Sequence, residues 1–386
     1  MKITKSIKYV GVNDRDIDLF EGQFPVPDGI AYNSYVILDE KIAVMDSVEI
    51  AFKDEWIGNI LSVTGGRAVD YLVIHHMEPD HSSSIRHFMD RFPTARIISS
   101  ERAFNMMSGF FGTAYEGRRI IVSEGDVFPL GRHRLRFFSA PMVHWPEVLV
   151  SYDMTDRVLF SADAFGKFGC NDIPGEWERE AGRYYFGIVG KYGAMVSALL
   201  KKLEGLDIDF ICSLHGHVIC ENIDYYISLY NKWAAYLPDR SGVCIACASI
   251  YGNTAAAARL LEERLNACGV KTELYDLARC DIYRAVESAF RFDRLVLASS
   301  TYNGGLFPPM REFLGHLTDR GYKNRAVAFI ENGSWAQAAT KAMKAMLEGS
   351  KNLGFIEPNV SITSSLNDES RAQIIALSDK ITGNCD

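Results

Sequence analysis

The chain has 386 residues, 48% of them hydrophobic and 23% charged, so it can bury a sizeable core and does not depend on disulfides. Its 41 basic and 49 acidic side chains give a net charge of −8 with no basic tract, which argues against nucleic acid or an anionic membrane as main partner. No run approaches the roughly 18 apolar residues of a membrane helix, and the N-terminus has no apolar h-region, so a cytoplasmic protein with reduced cysteines is expected.

In chain order, Tyr35–Leu38 and Ile42–Met45 flank the turn Asp39-Glu40-Lys41 and predict a β-hairpin. Tyr71–Ile74 is a short apolar run suited to a strand buried on both faces. After the loop HHMEPDH, residues Ile85, Phe88, Met89 and Phe92 follow helical spacing. Further strands are expected at Arg96–Ile98, Leu135–Phe138, Val158–Phe160 and Phe210–Cys212, giving a mixed α/β layered domain over residues 1–240. A junction is expected at Leu237–Gly242, after the aromatic helix Tyr225–Tyr236. Beyond it, strands Val243–Ala248, Leu295–Leu297 and Ala326–Ile330 alternate with helices Ala255–Leu265 and Met310–Leu317. That pattern is a doubly wound parallel sheet over residues 241–386. Cys244 and Cys247 form the sole C-x-x-C, but within a strand they face opposite sides and read as buried thiols.

Four predicted strands of the first domain each run into candidate metal ligands. Tyr71–Ile74 leads to His76, Glu78, Asp80 and His81; Leu135–Phe138 to His144; Val158–Phe160 to Asp163; and Phe210–Cys212 to His215, with His217 two residues on and able to point the same way. Loops at the carboxyl ends of neighbouring strands converge in open α/β folds. His76, Glu78 and Asp80 recur at period two, so an extended segment would project all three to one side. Taken singly, these residues also suit a polar loop in which Asp80 or Ser82 caps the next helix. Together, uncompensated burial of so many ionisable groups would be costly. Seven ligands with one shared suffice for two metals, and Asp163 is best placed to bridge. Three carboxylates beside four imidazoles, with no thiolate, suit iron or manganese at least as well as zinc.

The second domain carries Ser249-Ile250-Tyr251-Gly252-Asn253-Thr254 between its first strand and helix. This is neither a P-loop nor a dinucleotide fingerprint. Backbone N–H groups at a helix N-terminus still bind an anion, with Ser249 and Thr254 adding donors. Two more loops lie at the same sheet edge, Thr301-Tyr302-Asn303-Gly304-Gly305 and Asn332-Gly333-Ser334-Trp335. Their glycines let backbone approach a flat ring, and Tyr302 and Trp335 offer stacking faces. Flavin phosphate binding is the favoured reading, against ordinary turns and a helix capped by Thr254.

The whole chain resembles the flavodiiron proteins, or A-type flavoproteins. The likeness runs through GIAYNSYVILDEKIAVMD near the start, H-x-E-x-D-H at His76–His81, VHWPE around His144 and LFSADAFG around Asp163. It continues through LHG at His215, SIYGNT at Ser249–Thr254 and TYNGGLFPPM at Thr301–Met310. The resemblance implies a metallo-β-lactamase-like αββα sandwich followed by a flavodoxin-like domain, with one FMN and two non-haem iron ions. It implies one iron on His76, Glu78, His144 and Asp163, and the other on Asp80, His215 and the shared Asp163, with His81 additional or variable. Zinc hydrolases of the superfamily carry a second histidine where this chain has Glu78, which supports iron.

The resemblance further implies a reductase of dioxygen to water, of nitric oxide to nitrous oxide, or of both. Electrons would pass through FMN from an external donor such as rubredoxin or a flavin reductase. A head-to-tail homodimer or dimer of dimers is implied as well. Tyr184, Tyr185 and His217 are candidate proton donors. Phe186-Gly187 stands where the family often has Ala-Asn, which would change the polarity of the pocket. The competing readings are a zinc hydrolase with an appended flavodoxin domain and an electron-transfer protein whose first half is inert.

Overall fold

The computed structural model describes residues 3–383, and Cys385 lies outside them. The chain divides into two compact units, Met1–Asn231 and Lys232–Asp386. The division falls within the helix Ile223–Ala234, upstream of the expected junction at Leu237–Gly242. Two aromatic residues explain the difference. Trp233 donates from Nε1 to Asp239 at 3.3 Å and lies under the Arg291 guanidinium. The Tyr236 carbonyl accepts from Arg325 at 2.7 Å. Both rings therefore belong to the second unit, although the chain around Trp233 is still helical.

The first unit is built on two facing sheets. One has six strands in the order Ile7–Tyr9, Tyr35–Ile37, Ala43–Met45, Tyr71–Val73, Arg96–Ser99 and Arg119–Ile121. Its first three strands pair antiparallel, including the expected hairpin with Tyr35 opposite Met45, and the remaining pairs are parallel. The other sheet runs Val127–Pro129, Arg134–Ser139, Leu149–Asp153, Val158–Phe160 and Phe210–Cys212, antiparallel except for the last pair. Strand residues alternate between two faces. Ile37, Met45, Val73 and Ile98 meet Leu135, Phe137, Leu149 and Phe160 in the core between the sheets. Val36, Val44, Leu72 and Ile97 are buried as well, outside that core. Burial on both faces is why these strands read as unbroken apolar runs.

In the second unit the parallel sheet is ordered Thr272–Asp276, Arg240–Ala248, Phe292–Tyr302, Arg325–Asn332, then Leu353–Phe355, with Val360–Ile362 also pairing beside Arg325–Asn332. Numbered along the chain this is 2-1-3-4-5, the flavodoxin-like order of a doubly wound sheet. Ala257, Leu261 and Leu265 of the helix Asn253–Ala267 pack with Ile374 and Leu377 of Asp368–Thr382 against Ile245, Val296 and Ile330. Cys244 and Cys247 are both buried, and burial pushes both thiols up.

Candidate functional site

Tyr71–Val73 ends in a loop that carries His76 and Glu78, and the chain then turns into the short helix Pro79–Ser82. Pro79 occupies the first turn, where its fixed φ favours a helix and its missing N–H costs nothing. The extended segment expected from His76 to Asp80 therefore stops at Glu78. His76 and Glu78 turn one way, and Asp80 and His81 turn the other. Neither Asp80 nor Ser82 caps the expected helix, Ile85–Arg91, whose N-cap position is Ser84 without a side-chain bond. Glu78 holds the N-cap position of the short helix, also without a side-chain bond, and Ser82 donates to the Met77 carbonyl at 2.8 Å.

Two donor groups result. His76, Glu78, His144 and Asp163 form one; Asp80, His81 and His215 form the other. Glu78 Oε2 lies 3.2 Å from His76 Nε2 and 3.0 Å from His144 Nε2. Asp163 Oδ2 lies 3.3 Å and 3.1 Å from the same two nitrogens. Its other oxygen, Oδ1, lies 3.4 Å from His81 Nε2 and 3.8 Å from His215 Nε2. Asp80 Oδ2 closes the second group at 3.2 Å from His81 and 3.3 Å from His215. Ligands about 2.1 Å from one ion, at angles near 90–110°, stand about 3.0–3.4 Å apart. Both oxygens of Asp163 and of Asp80 are buried without a hydrogen-bond partner. Donors that crowd together yet leave their lone pairs unused fit a pair of bound cations. His81 stands as close to Asp163 as any second-group donor, so nothing in the geometry sets it apart as an extra.

Electrostatics describes the same groups without metal. Burial disfavours a charged His76, but Asp163, Glu147 and Glu78 outweigh it and raise its pKa well above the ordinary value. Burial likewise opposes protonation of His144, and Asp163 and Glu78 overcome it to about 9. Burial would raise Glu78, but hydrogen bonds from His144 and His76 bring it down to about 2. Without metal, His76 and His144 are thus held as imidazolium against Glu78 and Asp163, and a metal would displace their protons.

The walls are apolar and aromatic. Phe20, Tyr184 and Tyr32 place their rings 5.3, 5.4 and 6.1 Å from His215, and Trp145 lies 5.3 Å from His76. Gly187 is explained by Phe24, whose Cε1 would stand 2.6 Å from a Cβ at that position. Tyr184 is buried beside the site, and burial followed by Asp163 holds its hydroxyl in the neutral form. Tyr185 packs on Tyr230 and Phe186 instead. His217 is half-buried outside both groups, its pKa lowered by burial and then by Lys167. His75 is a structural neighbour bound to Asp46 and Ser151.

Sequence reasoning missed Glu147. Its Oε1 accepts from His76 Nδ1 and from the Met77 N–H, both at 2.8 Å. The available signal was its place in VHWPE, three residues after His144. A third gathering, His133, Asp153 and Asp156, lies apart from these groups and bonds to itself and to Ser6.

The second unit holds a cavity of about 350 Å³ at the expected sheet edge. Ser249, Ile250, Tyr251, Asn253 and Thr254 line it from the first loop. Thr301–Gly304 and Asn332–Trp335 line it from the other two, and Ser300, Ala336 and Ser364 are additions. Gly252 and Gly305 do not line it. Gly252, at φ +95°, is the N-cap of Asn253–Ala267, so Thr254 is not the cap. Gly252 N–H donates to Ser249 Oγ at 3.1 Å, and Thr254 Oγ1 pairs with Ser300 Oγ at 2.8 Å. A Cβ on Gly333 would collide with the Ala336 carbonyl. Tyr251 and Trp335 are each 94% exposed at the rim. A helix N-terminus, hydroxyl donors and open aromatic faces fit a phosphorylated flat ring.

Residues 30–216 match a family model described as ODP family beta lactamase. An uncharacterised protein of Methanocaldococcus jannaschii is 30% identical over 92% of this chain and 90% of its own length. The anaerobic nitric oxide reductase flavorubredoxin of Salmonella arizonae is 28% identical over 90% of this chain and 74% of its own length. Among solved structures, rubredoxin oxygen:oxidoreductase from Desulfovibrio gigas superposes with a TM-score of 0.91 at 25% identity, covering 99% of this chain and 98% of that one. The chain belongs to the flavodiiron protein family. The flavodiiron protein of Giardia intestinalis shares its fold, with a TM-score of 0.90 at 22% identity over 99% of this chain and 96% of that one. This flavodiiron chain is accordingly an oxidoreductase, and the zinc hydrolase reading is not favoured. Among the described residues no helix is long and apolar enough to cross a membrane.

Proposed function

We propose that this protein reduces dioxygen, nitric oxide or both, holding one FMN and two non-haem iron ions and drawing electrons from an external donor such as rubredoxin or a flavin reductase. The observation that carries the reading is Asp163, whose two oxygens turn to the two donor groups. His76, Glu78, His144 and Asp163 would hold one iron, and Asp80, His81, His215 and Asp163 the other. Ser249–Thr254, Thr301–Gly305 and Asn332–Trp335 would hold FMN. When bound, iron supplies the redox chemistry and the place where substrate binds, and FMN supplies a two-electron store.

The chain's own residues do the remaining work. Glu78, Asp80 and Asp163 offset the charge of two cations in a buried site. Phe20, Tyr32 and Tyr184 wall off His215 and keep water from it. The Tyr184 hydroxyl, kept protonated by burial and by Asp163, holds a proton beside the site. Backbone N–H groups at the start of Asn253–Ala267 and the Thr254 hydroxyl would hold the phosphate. The nitric oxide reductase flavorubredoxin of Salmonella arizonae and the rubredoxin oxygen:oxidoreductase of Desulfovibrio gigas support both gases and a rubredoxin-type donor. A head-to-tail homodimer or dimer of dimers and a cytoplasmic location belong to the same proposal and rest on the resemblance.

The test is anaerobic loading with ferrous iron and FMN, then turnover with each gas under one electron supply. Gas consumption that rises with bound iron supports the reading. Stoichiometric zinc, with ester or thioester hydrolysis and no gas reduction, would replace it.

A further inference from the structure

The two donor groups carry equal formal charge. Each has two imidazoles and one carboxylate of its own, and they share Asp163. What stands behind the imidazoles differs. His76 Nδ1 donates to Glu147, a carboxylate only 2% exposed, at 2.8 Å. His215 Nδ1 donates to the neutral Ala31 carbonyl at 2.8 Å. His81 Nδ1 is buried with no hydrogen-bond partner. Glu147 is pinned in turn by the Met77 N–H on the same oxygen. The spacing runs in parallel: Asp163 stands 3.1 and 3.3 Å from the nitrogens of the first group, against 3.4 and 3.8 Å for the second.

We infer that Glu147 is a positioning residue that makes the centre unequal, so that the His76 half binds its metal ion more tightly than the His81–His215 half. The inference rests on the two-ion reading proposed above. A buried carboxylate that accepts from one imidazole nitrogen fixes the ring and makes the opposite nitrogen more basic. It also adds a negative charge close to the ion, where little water screens it. A carbonyl fixes the ring but brings no net charge, and an unpartnered nitrogen does neither. With first-sphere charges equal, this outer contact decides which half is stronger. The second half is then the one to fill last and empty first.

The experiment is a titration of the metal-free full chain with cobalt(II), followed by the visible absorption of each bound ion. The wild type is expected to bind two ions in resolved steps. Glu147→Gln, nearly isosteric but uncharged, should weaken the tighter step about 10–100-fold and leave the weaker one in place. His81→Ala should abolish the weaker step and spare the tighter one. Thermal unfolding of each metal-free variant reports whether it is folded. If the Gln variant is not folded, Glu147→Asp, which shortens the contact arm, carries the test through the same selective loss. Equal weakening of both steps would mark Glu147 as merely structural and overturn the inference. So would two unchanged steps, or loss of the tight step in His81→Ala. In each of those cases the two-ion reading survives. A wild type that binds fewer than two ions overturns both.

Discussion

The two units approach chemistry in opposite ways. In the first, ionisable side chains from four separate loops are buried together, and their mutual charge holds His144 near 9 and Glu78 near 2. In the second, the cavity is lined by hydroxyls, amides, glycines and exposed rings at one edge of a parallel sheet. A cation needs particular donor atoms, so its site is written in residue types. A phosphorylated ring can be held by backbone N–H groups that any residue supplies, so its site is written in chain geometry. Substitutions should therefore act differently in the two units. In the first, the identity of the removed atom should matter; in the second, the shape of the loop should.

The largest effect is expected at Asp163, because it alone serves both donor groups. Outer contacts to metal ligands are worth about 10–100-fold, so losing a shared ligand should cost more than about 100-fold in turnover. Asp163→Ala should also lower bound iron from about two per chain to below about one, with FMN retained. Metal analysis beside the flavin absorbance checks both. Loss of flavin together with iron would break the contrast between the units. The matching change in the second unit is Gly333→Val, where added atoms meet the Ala336 carbonyl. Overpacking of about 1–3 kcal/mol should weaken FMN retention by roughly 10–100-fold and leave iron untouched. Dialysis followed by flavin and iron assays reads both at once.

These expectations follow what the sequence made visible. His76, Glu78, His144, Asp163 and His215 stood out because ionisable residues at the ends of apolar strands demand an explanation. The strands themselves were legible because burial on both faces leaves unbroken runs such as Tyr71–Ile74. A period-two pattern presumes an extended chain, and Pro79 starts a helix instead, so Asp80 turns to the other side. Glu147 was passed over because a carboxylate acting through His76 has no spacing rule that singles it out. Gly252 is a similar case. Its left-handed φ starts the helix Asn253–Ala267, so it shapes the loop without lining the cavity. The division at Asn231 was hidden because Trp233 and Tyr236 change packing partner without a break in aromatic composition.

Proton competition sharpens the contrast further. The folded pKa of His144, about 9, lies above its unfolded value of about 6.5. Its charge therefore stabilises the metal-free fold fully below about pH 6.5, and that contribution is lost as pH rises through about 9. Metal must expel this proton, so apparent affinity should rise with pH by about tenfold per unit from the His144 proton alone, between about pH 7 and pH 8. Competition with a chelator across that range measures it. Binding of FMN, whose pocket contains no such buried ion lattice, should change far less over the same interval.

The smallest effect is expected at Trp335. Its side chain is 94% exposed, so removing it deletes almost no internal packing. Trp335→Ala should shift the stability of the metal-loaded, flavin-free protein by no more than about 0.5 kcal/mol. An aromatic face left open at the rim of a cavity is useful only to something that lies against it. Stacking contributes about 0.5–1.5 kcal/mol beyond burial, so FMN should bind roughly 2–10-fold more weakly. Flavin fluorescence titration and thermal unfolding separate the two quantities. A large drop in stability with unchanged FMN affinity would make Trp335 a structural residue and would leave Tyr251 and Tyr302, 94% and 44% exposed, as the aromatic faces lining the cavity.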